Sequence, residues 1–276
     1  MNLNYETYNG YNPQATTEII VSDFLLRSLV RLEQMFDFLK QSSEELQEPF
    51  STCFIEALSS QVQDKDIDQF LNELTVILET HPLWGTQYNL SSLLVRFMLE
   101  QLNLSRIEDG KAKVLFLNAE KSENLISYMM ISQLVNLAGR DSGIELWKDY
   151  VEHKARNAPP REINAFKDIR NDMAHMNESG GFAFTIHDFD ENMFVGRFDK
   201  CVVYDSLEDQ DDHELAYYAT CYSGMTITNR RDWCLRMRRT QTLFSADYCD
   251  ELYWNREVYD EPEQPSLEFT RKMVIN

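Results

Sequence analysis

Apolar residues recur at intervals of three and four through the first part of the chain. Ile19, Ile20, Phe24, Leu25, Leu29, Leu32, Met35, Phe36 and Leu39 form one stripe, which predicts a long helix with a single buried face. Phe54–Leu58 predicts a shorter helix. Ile67, Phe70, Leu71, Leu74, Ile77 and Leu78 predict a third, ended before Pro82 because proline has no backbone N–H to continue the ladder. Leu90–Leu104 is apolar nearly all round and reads as a buried helix. Asn124–Ala138 reads as another, stopped by Gly139. Ser142, with Glu145 three residues on, has the spacing of a capping box that opens a helix over Gly143–Arg156. Asn157-Ala-Pro-Pro160 breaks the pattern, and Glu162–His175 can form one more short helix. Val114–Leu117 fits a short strand and a buried helical turn equally well.

After Gly180-Gly181 the period changes to two. Phe182, Phe184 and Ile186 alternate, His187–Asn192 has turn chemistry, and Met193–Val203 predicts the second arm of a hairpin. An acidic segment, Leu207–Asp212, leads into a helix from His213 to Cys221. Met225–Thr228 reads as a short strand. Met237–Leu243 and Glu251–Trp254 read as further strands, joined through Ser245–Asp250. The expected fold class is α+β, a helical N-terminal region followed by an antiparallel sheet with packed helices. The expected division is a helical region over 1–118, an α+β domain over 119–260 and a tail over 261–276.

Charge narrows the function classes. The 276 residues carry 26 basic and 46 acidic side chains, a net charge of −20. That balance repels polyphosphate and anionic lipid alike, so neither nucleic acid nor a membrane surface is expected as a partner. With 43% hydrophobic residues the chain can still build a core. Met1–Asn12 lacks the basic and apolar regions of a secretory signal, and Ile19–Leu39, the longest apolar candidate, is broken by five charges. A cytoplasmic location is the expectation. Cys53, Cys201, Cys221, Cys234 and Cys249 are odd in number, and none is in a Cys-x-x-Cys pair, so neither a disulfide framework nor a zinc knuckle is predicted. Phosphate-binding loops, nucleophile elbows and HExxH helices are absent from the sequence.

Four of the five cysteines fall between 201 and 249, and three of these, Cys201, Cys221 and Cys249, lie in three segments: Phe194–Cys201 (FVGRFDKC), Glu214–Cys221 (ELAYYATC) and Arg239–Asp250 (RTQTLFSADYCD). In these segments the chain resembles the L-2-amino-thiazoline-4-carboxylic acid hydrolase-like family, over about 120–256. The helix near Gly143–Leu146 stands where that family's domain begins. Two positions depart from the family's pattern. Gly224 stands where an aspartate follows the central cysteine by three residues, leaving Ser223 as the nearest polar side chain. Glu251 replaces a phenylalanine after Cys-Asp. The resemblance implies hydrolytic opening of a cyclic amidine or amide C–N bond in a 2-aminothiazoline-carboxylate-like substrate. Such chemistry needs a nucleophile, a proton donor for the leaving group and a cation for the substrate carboxylate. Cys221, Cys249 and Asp250 are the candidates for the first two roles and Arg239 for the third, with Cys201 and Ser223 lining the substrate. The basic run Arg230, Arg231, Arg236, Arg238 and Arg239 could help a thiol ionise. No cofactor and no metal ion is expected.

Other readings use other residues. Cys201, Cys221 and Cys249 could be thiolate metal ligands, although their spacing matches no standard zinc pattern. Arg170-Asn-Asp-Met-Ala-His175 resembles the short motif of HEPN-type ribonucleases, which would put a cation and an acid/base on one helix face. Two functions compete with hydrolysis. One is a tailoring enzyme of another class acting on a natural-product intermediate, with a carrier protein or a second copy of the chain as partner. The other is a non-catalytic interaction protein whose cysteines are ordinary small apolar core residues.

Overall fold

The computed structural model describes residues 5–63, 67, 70, 71, 74, 78–83, 87–158, 166–230 and 233–273. They form an α+β fold. The chain divides into two compact units, residues 16–153 and residues 1–15 with 154–276. The expected boundary at 118/119 falls inside the first unit. There, a helix running from Phe116 to Ala138 spans that point and packs against the helices over Glu44–Gln61 and Tyr88–Leu102.

In the first unit, strand β2 (Thr16–Ile20) pairs antiparallel with β3 (Lys111–Leu115). Ile19 and Ile20 are in this strand, so the stripe of α1 (Val21–Ser42) starts at Val21. Phe24, Leu25, Leu29, Leu32, Met35, Phe36 and Leu39 are all buried in it. The short helix expected at Phe54–Leu58 extends over Glu44–Gln61 as α2, and α3 is Tyr88–Leu102. Ile67, Phe70, Leu74 and Leu78 are buried, as their spacing predicts, while Ile77 lies outside the described residues. Both readings of Val114–Leu117 are realised. Val114 and Leu115 end β3, and Phe116 and Leu117 open α4 (Phe116–Ala138).

Gly139 ends α4 at φ 83°, a left-handed value that glycine adopts without a Cβ clash. The same residue starts α5 (Arg140–Asn157), since its carbonyl accepts the Gly143 N–H at 2.8 Å. Ser142 is therefore inside the helix, and the expected capping box does not form. Gly143 has a packing reason of its own: a Cβ there would come within 2.5 Å of the Val135 backbone.

In the second unit a five-stranded antiparallel sheet has the order β1-β4-β5-β7-β6. Its strands are β1 (Glu6–Asn9), β4 (Phe182–Asp190), β5 (Met193–Cys201), β6 (Leu235–Arg238) and β7 (Cys249–Asn255). The hairpin turn is shorter than expected, because His187–Asp190 continue β4 and pair with β5. Helix α6 (Phe166–Met176) lays Phe166, Ile169 and Met173 on one sheet face against Phe184, Ile186, Phe194 and Phe198. Pro159, Pro160 and the expected helix start at Glu162 lie outside the described residues.

Residues 202–205 form a single turn, α7. The segment after the acidic loop is helical throughout: α8 (His213–Tyr217), a π-turn (Tyr218–Tyr222) and α9 (Ser223–Thr228). Asp212 caps its start by accepting the Leu215 N–H at 3.1 Å. The strand expected at Met225–Thr228 is thus a helix; four apolar-leaning residues carry too little periodicity to tell the two apart. A last turn, α10, is Leu267–Arg271.

Candidate functional site

Strand alternation sorts the candidate residues. On β7, Cys249, Glu251 and Tyr253 face one side of the sheet, and Asp250, Leu252 and Trp254 the other. Register and packing agree. Cys249 pairs with Phe198, and the Tyr253 ring stacks on Phe194 at 4.8 Å, all on the α6 side. Leu252 and Trp254 pack with Val195 and Met273 on the opposite side.

Cys201 reaches the Cys249 face through an irregularity. Phe184 pairs with Phe198 but Ala183 pairs with Lys200, so Asp199 is an extra residue in β5. Cys201 then pairs with Phe182, whose ring meets Phe198 edge-on at 6.3 Å. Without the bulge, a position three residues beyond Phe198 would face away.

Arg239 joins this face to the π-turn. Its Nη1 donates to the Cys221 carbonyl at 2.8 Å. Its Nε and Nη2 both reach Glu251 Oε1, at 2.7 and 2.6 Å. The other Glu251 oxygen accepts the Tyr253 hydroxyl. The side chains of Arg239 and Glu251 are only 13% and 8% exposed. Burial is the largest influence and works against the Arg239 charge, but the Glu251 carboxylate together with Cys221, Tyr253 and Cys249 outweighs it and keeps the guanidinium charged.

The thiols share one field. Burial, and then the neighbouring Cys221, push Cys201 up to about 12. Burial, then Cys221, Glu251 and Cys201, raise Cys249 well above the ordinary thiol range. Burial raises Cys221 too, with Arg239 acting in the opposite direction. Burial also raises the Tyr217 hydroxyl, and Arg239 again opposes it. Cys201, Cys221 and Cys249 are thus brought into one electrostatic cluster with Arg239, Glu251, Tyr253 and Tyr217, and Cys221 is the thiol with the cation beside it.

Asp250 is fully buried on the other face of β7. Its carboxylate accepts the backbone N–H groups of Thr240 (2.8 Å) and Gln241 (2.9 Å), the Thr240 hydroxyl and the Gln264 amide. These bonds hold the loop that carries Arg239, so Asp250 positions the guanidinium from behind the strand. The Ser223 hydroxyl donates to the Tyr218 and Ala219 carbonyls within its own helix. Arg238 donates to Gln264 and Pro262 and stacks over Trp254, on the face away from the thiols. Arg231 lies outside the described residues.

Arg170 and His175 do not share a face. Five residues at 100° each place them about 140° apart around α6. Arg170 is held by Asp188 (2.8 Å), Glu6 (2.5 Å) and the Tyr8 hydroxyl (3.4 Å) beside a cavity of about 490 Å³. His175 is 72% exposed. A second cavity, of about 450 Å³, lies in the other unit between β2, α1 and α4. Among the described residues no group of three or more His, Cys, Asp or Glu side chains is arranged to hold a metal ion. Nor is any helix among them long and apolar enough to cross a membrane.

No protein-family model, curated protein or solved structure matches this chain. The sequence marks Glu251 only as a departure from the family's pattern, and it marks neither Tyr253 nor Tyr217 as a site residue. For the first two a signal existed, because a period of two from Cys249 puts both on its face. Nothing in the local pattern marks Tyr217.

Proposed function

We propose that the chain is a small-molecule hydrolase that opens a cyclic amidine or amide, with Cys221 as its nucleophile. The observation that carries this reading is Arg239, which grips the Cys221 carbonyl and is the cation opposing burial at the Cys221 thiol. In the first step the sulfur bonds to the amidine carbon. The ring C–N bond breaks, and the thiol proton passes to the leaving nitrogen. In the second, water adds to the same carbon, the C–S bond breaks and a proton returns to the sulfur, so one water is consumed overall. Arg239 stabilises the negative charge that grows on sulfur as the proton departs. Glu251 and Tyr253 hold Arg239 in place, and Asp250 fixes the loop behind it.

The test is turnover of a 2-aminothiazoline-type substrate by Cys221→Ala and Cys249→Ala. The expected result is loss of turnover in Cys221→Ala and a smaller decrease in Cys249→Ala. Full activity in Cys221→Ala overturns the assignment. One observation favours a second reading, a non-catalytic protein: burial holds all three thiols protonated. On that reading wild type turns over nothing, and each Cys→Ala variant changes only the melting temperature.

A further inference from the structure

We infer that the cluster around Arg239 takes an uncharged ring and rejects a free carboxylate, because Glu251 already occupies the place a substrate carboxylate would take. This rests on the ring-opening reading above and specifies the substrate class of that site.

The geometry gives three reasons. First, the Nε–Nη2 edge of a guanidinium is the fork that binds carboxylates side-on. Here both nitrogens of that edge are on Glu251 Oε1, at 2.7 and 2.6 Å. The third nitrogen, Nη1, is on the Cys221 carbonyl. Second, the pair is internally neutral. A carboxylate placed beside the guanidinium would meet the largely buried Glu251 carboxylate at close range, where like charges repel. Third, other basic side chains near the sheet are committed elsewhere. Arg197 is held by Asp199 and the Thr270 and Arg271 carbonyls, and Arg238 by Gln264 and Pro262. Arg239 is the cation that acts on Cys221, Tyr217 and Tyr253.

The sequence explains how this arises. Glu251 stands two residues beyond Cys249 in β7, so strand alternation aims its carboxylate at the thiol face, and Tyr253, two residues further on, secures its second oxygen.

The experiment compares two probes on the full chain by calorimetry: 2-amino-thiazoline-4-carboxylate and its neutral 4-carboxamide. The expected result is that wild type binds the carboxamide at least about tenfold more tightly than the acid, from like-charge repulsion at Glu251. In Glu251→Gln, which keeps the shape and removes the charge, that preference shrinks or reverses. Equal or tighter binding of the acid by wild type overturns the inference. So does binding of neither probe, or an unchanged preference in Glu251→Gln. Product formation is read separately. A carboxamide that binds with the expected preference but is not opened supports the inference on the site's charge and removes the hydrolase reading.

Discussion

Two arginines in the sheet unit are held by the same kinds of groups and differ in what surrounds them. Arg170 is bracketed by Glu6, Asp188 and the Tyr8 hydroxyl. Arg239 is bracketed by Glu251, whose far oxygen takes the Tyr253 hydroxyl. Around Arg170 the carboxylates are 62% and 45% exposed; around Arg239 the carboxylate is 8% exposed. Water can replace a lost partner at the first site and cannot at the second. The inventory of groups is shared, and access to solvent decides which set is an open surface clamp and which is a preorganised interior.

The sharpest way to break this contrast is to remove one carboxylate from each. Glu251→Ala leaves a buried guanidinium without its countercharge, and the expected cost is about 3–5 kcal/mol in denaturant unfolding. A change below about 1 kcal/mol would falsify the claim that solvent is excluded there. The second prediction moves one residue along the strand. Asp250→Ala strips an acceptor from the Thr240 and Gln241 N–H groups, with an expected loss of about 1–3 kcal/mol. It should also weaken any Arg239-dependent turnover, and rescue by Asn should be partial, since the amide offers one acceptor oxygen. Stability unchanged in Asp250→Ala would mean that the loop holds itself.

A third prediction probes dryness directly. Cys201, Cys221 and Cys249 in the native chain should be alkylated by iodoacetamide at pH 8 more than about tenfold more slowly than in the urea-unfolded chain, because so little thiolate is present. Mass spectrometry at each position reads the rate. Fast labelling of Cys221 alone would show that the Arg239 field prevails over burial. The smallest effects belong to Arg170. Glu6→Gln and Asp188→Asn should each cost about 0.2–1 kcal/mol, as exposed pairs do. For Glu6 the sign with pH follows from a carboxyl held below its ordinary range by the Tyr8 hydroxyl and Arg170. Its contribution is present above the unfolded carboxyl range and is lost as pH falls through the lower folded value. Stability curves of wild type and Glu6→Gln should therefore converge on acidification.

The fold class was readable because the hydrophobic period changes once, after Gly180-Gly181, from a helical to a strand repeat. The helix stripes of α1 and α4 hold where apolar residues line up over several turns. What was hidden depends on partners distant in sequence. β1 is four residues of mixed polarity and becomes a strand only because β4 offers it a free edge. Ser142–Glu145 has the right letters for a cap, but Gly139 starts the helix first. At the site, Cys201 and Cys249 share a face through a bulge at Asp199, which no alternation rule forecasts. Asp250 was readable as an important residue and its direction was not. Its role follows from which side of β7 it occupies, and that was fixed by pairing with β5.

The pairing of β1 with β4 has a consequence for how the molecule is made. Residues 16–153 are synthesised between one strand and its partner. At roughly 5–20 residues per second, β1 leaves the ribosome on the order of ten seconds or more before β4 exists. β4 then meets β5 first, across a two-residue turn, because local closure is faster than a search over the whole intervening chain. The N-terminal strand thus joins its edge after the β4–β5 hairpin has closed.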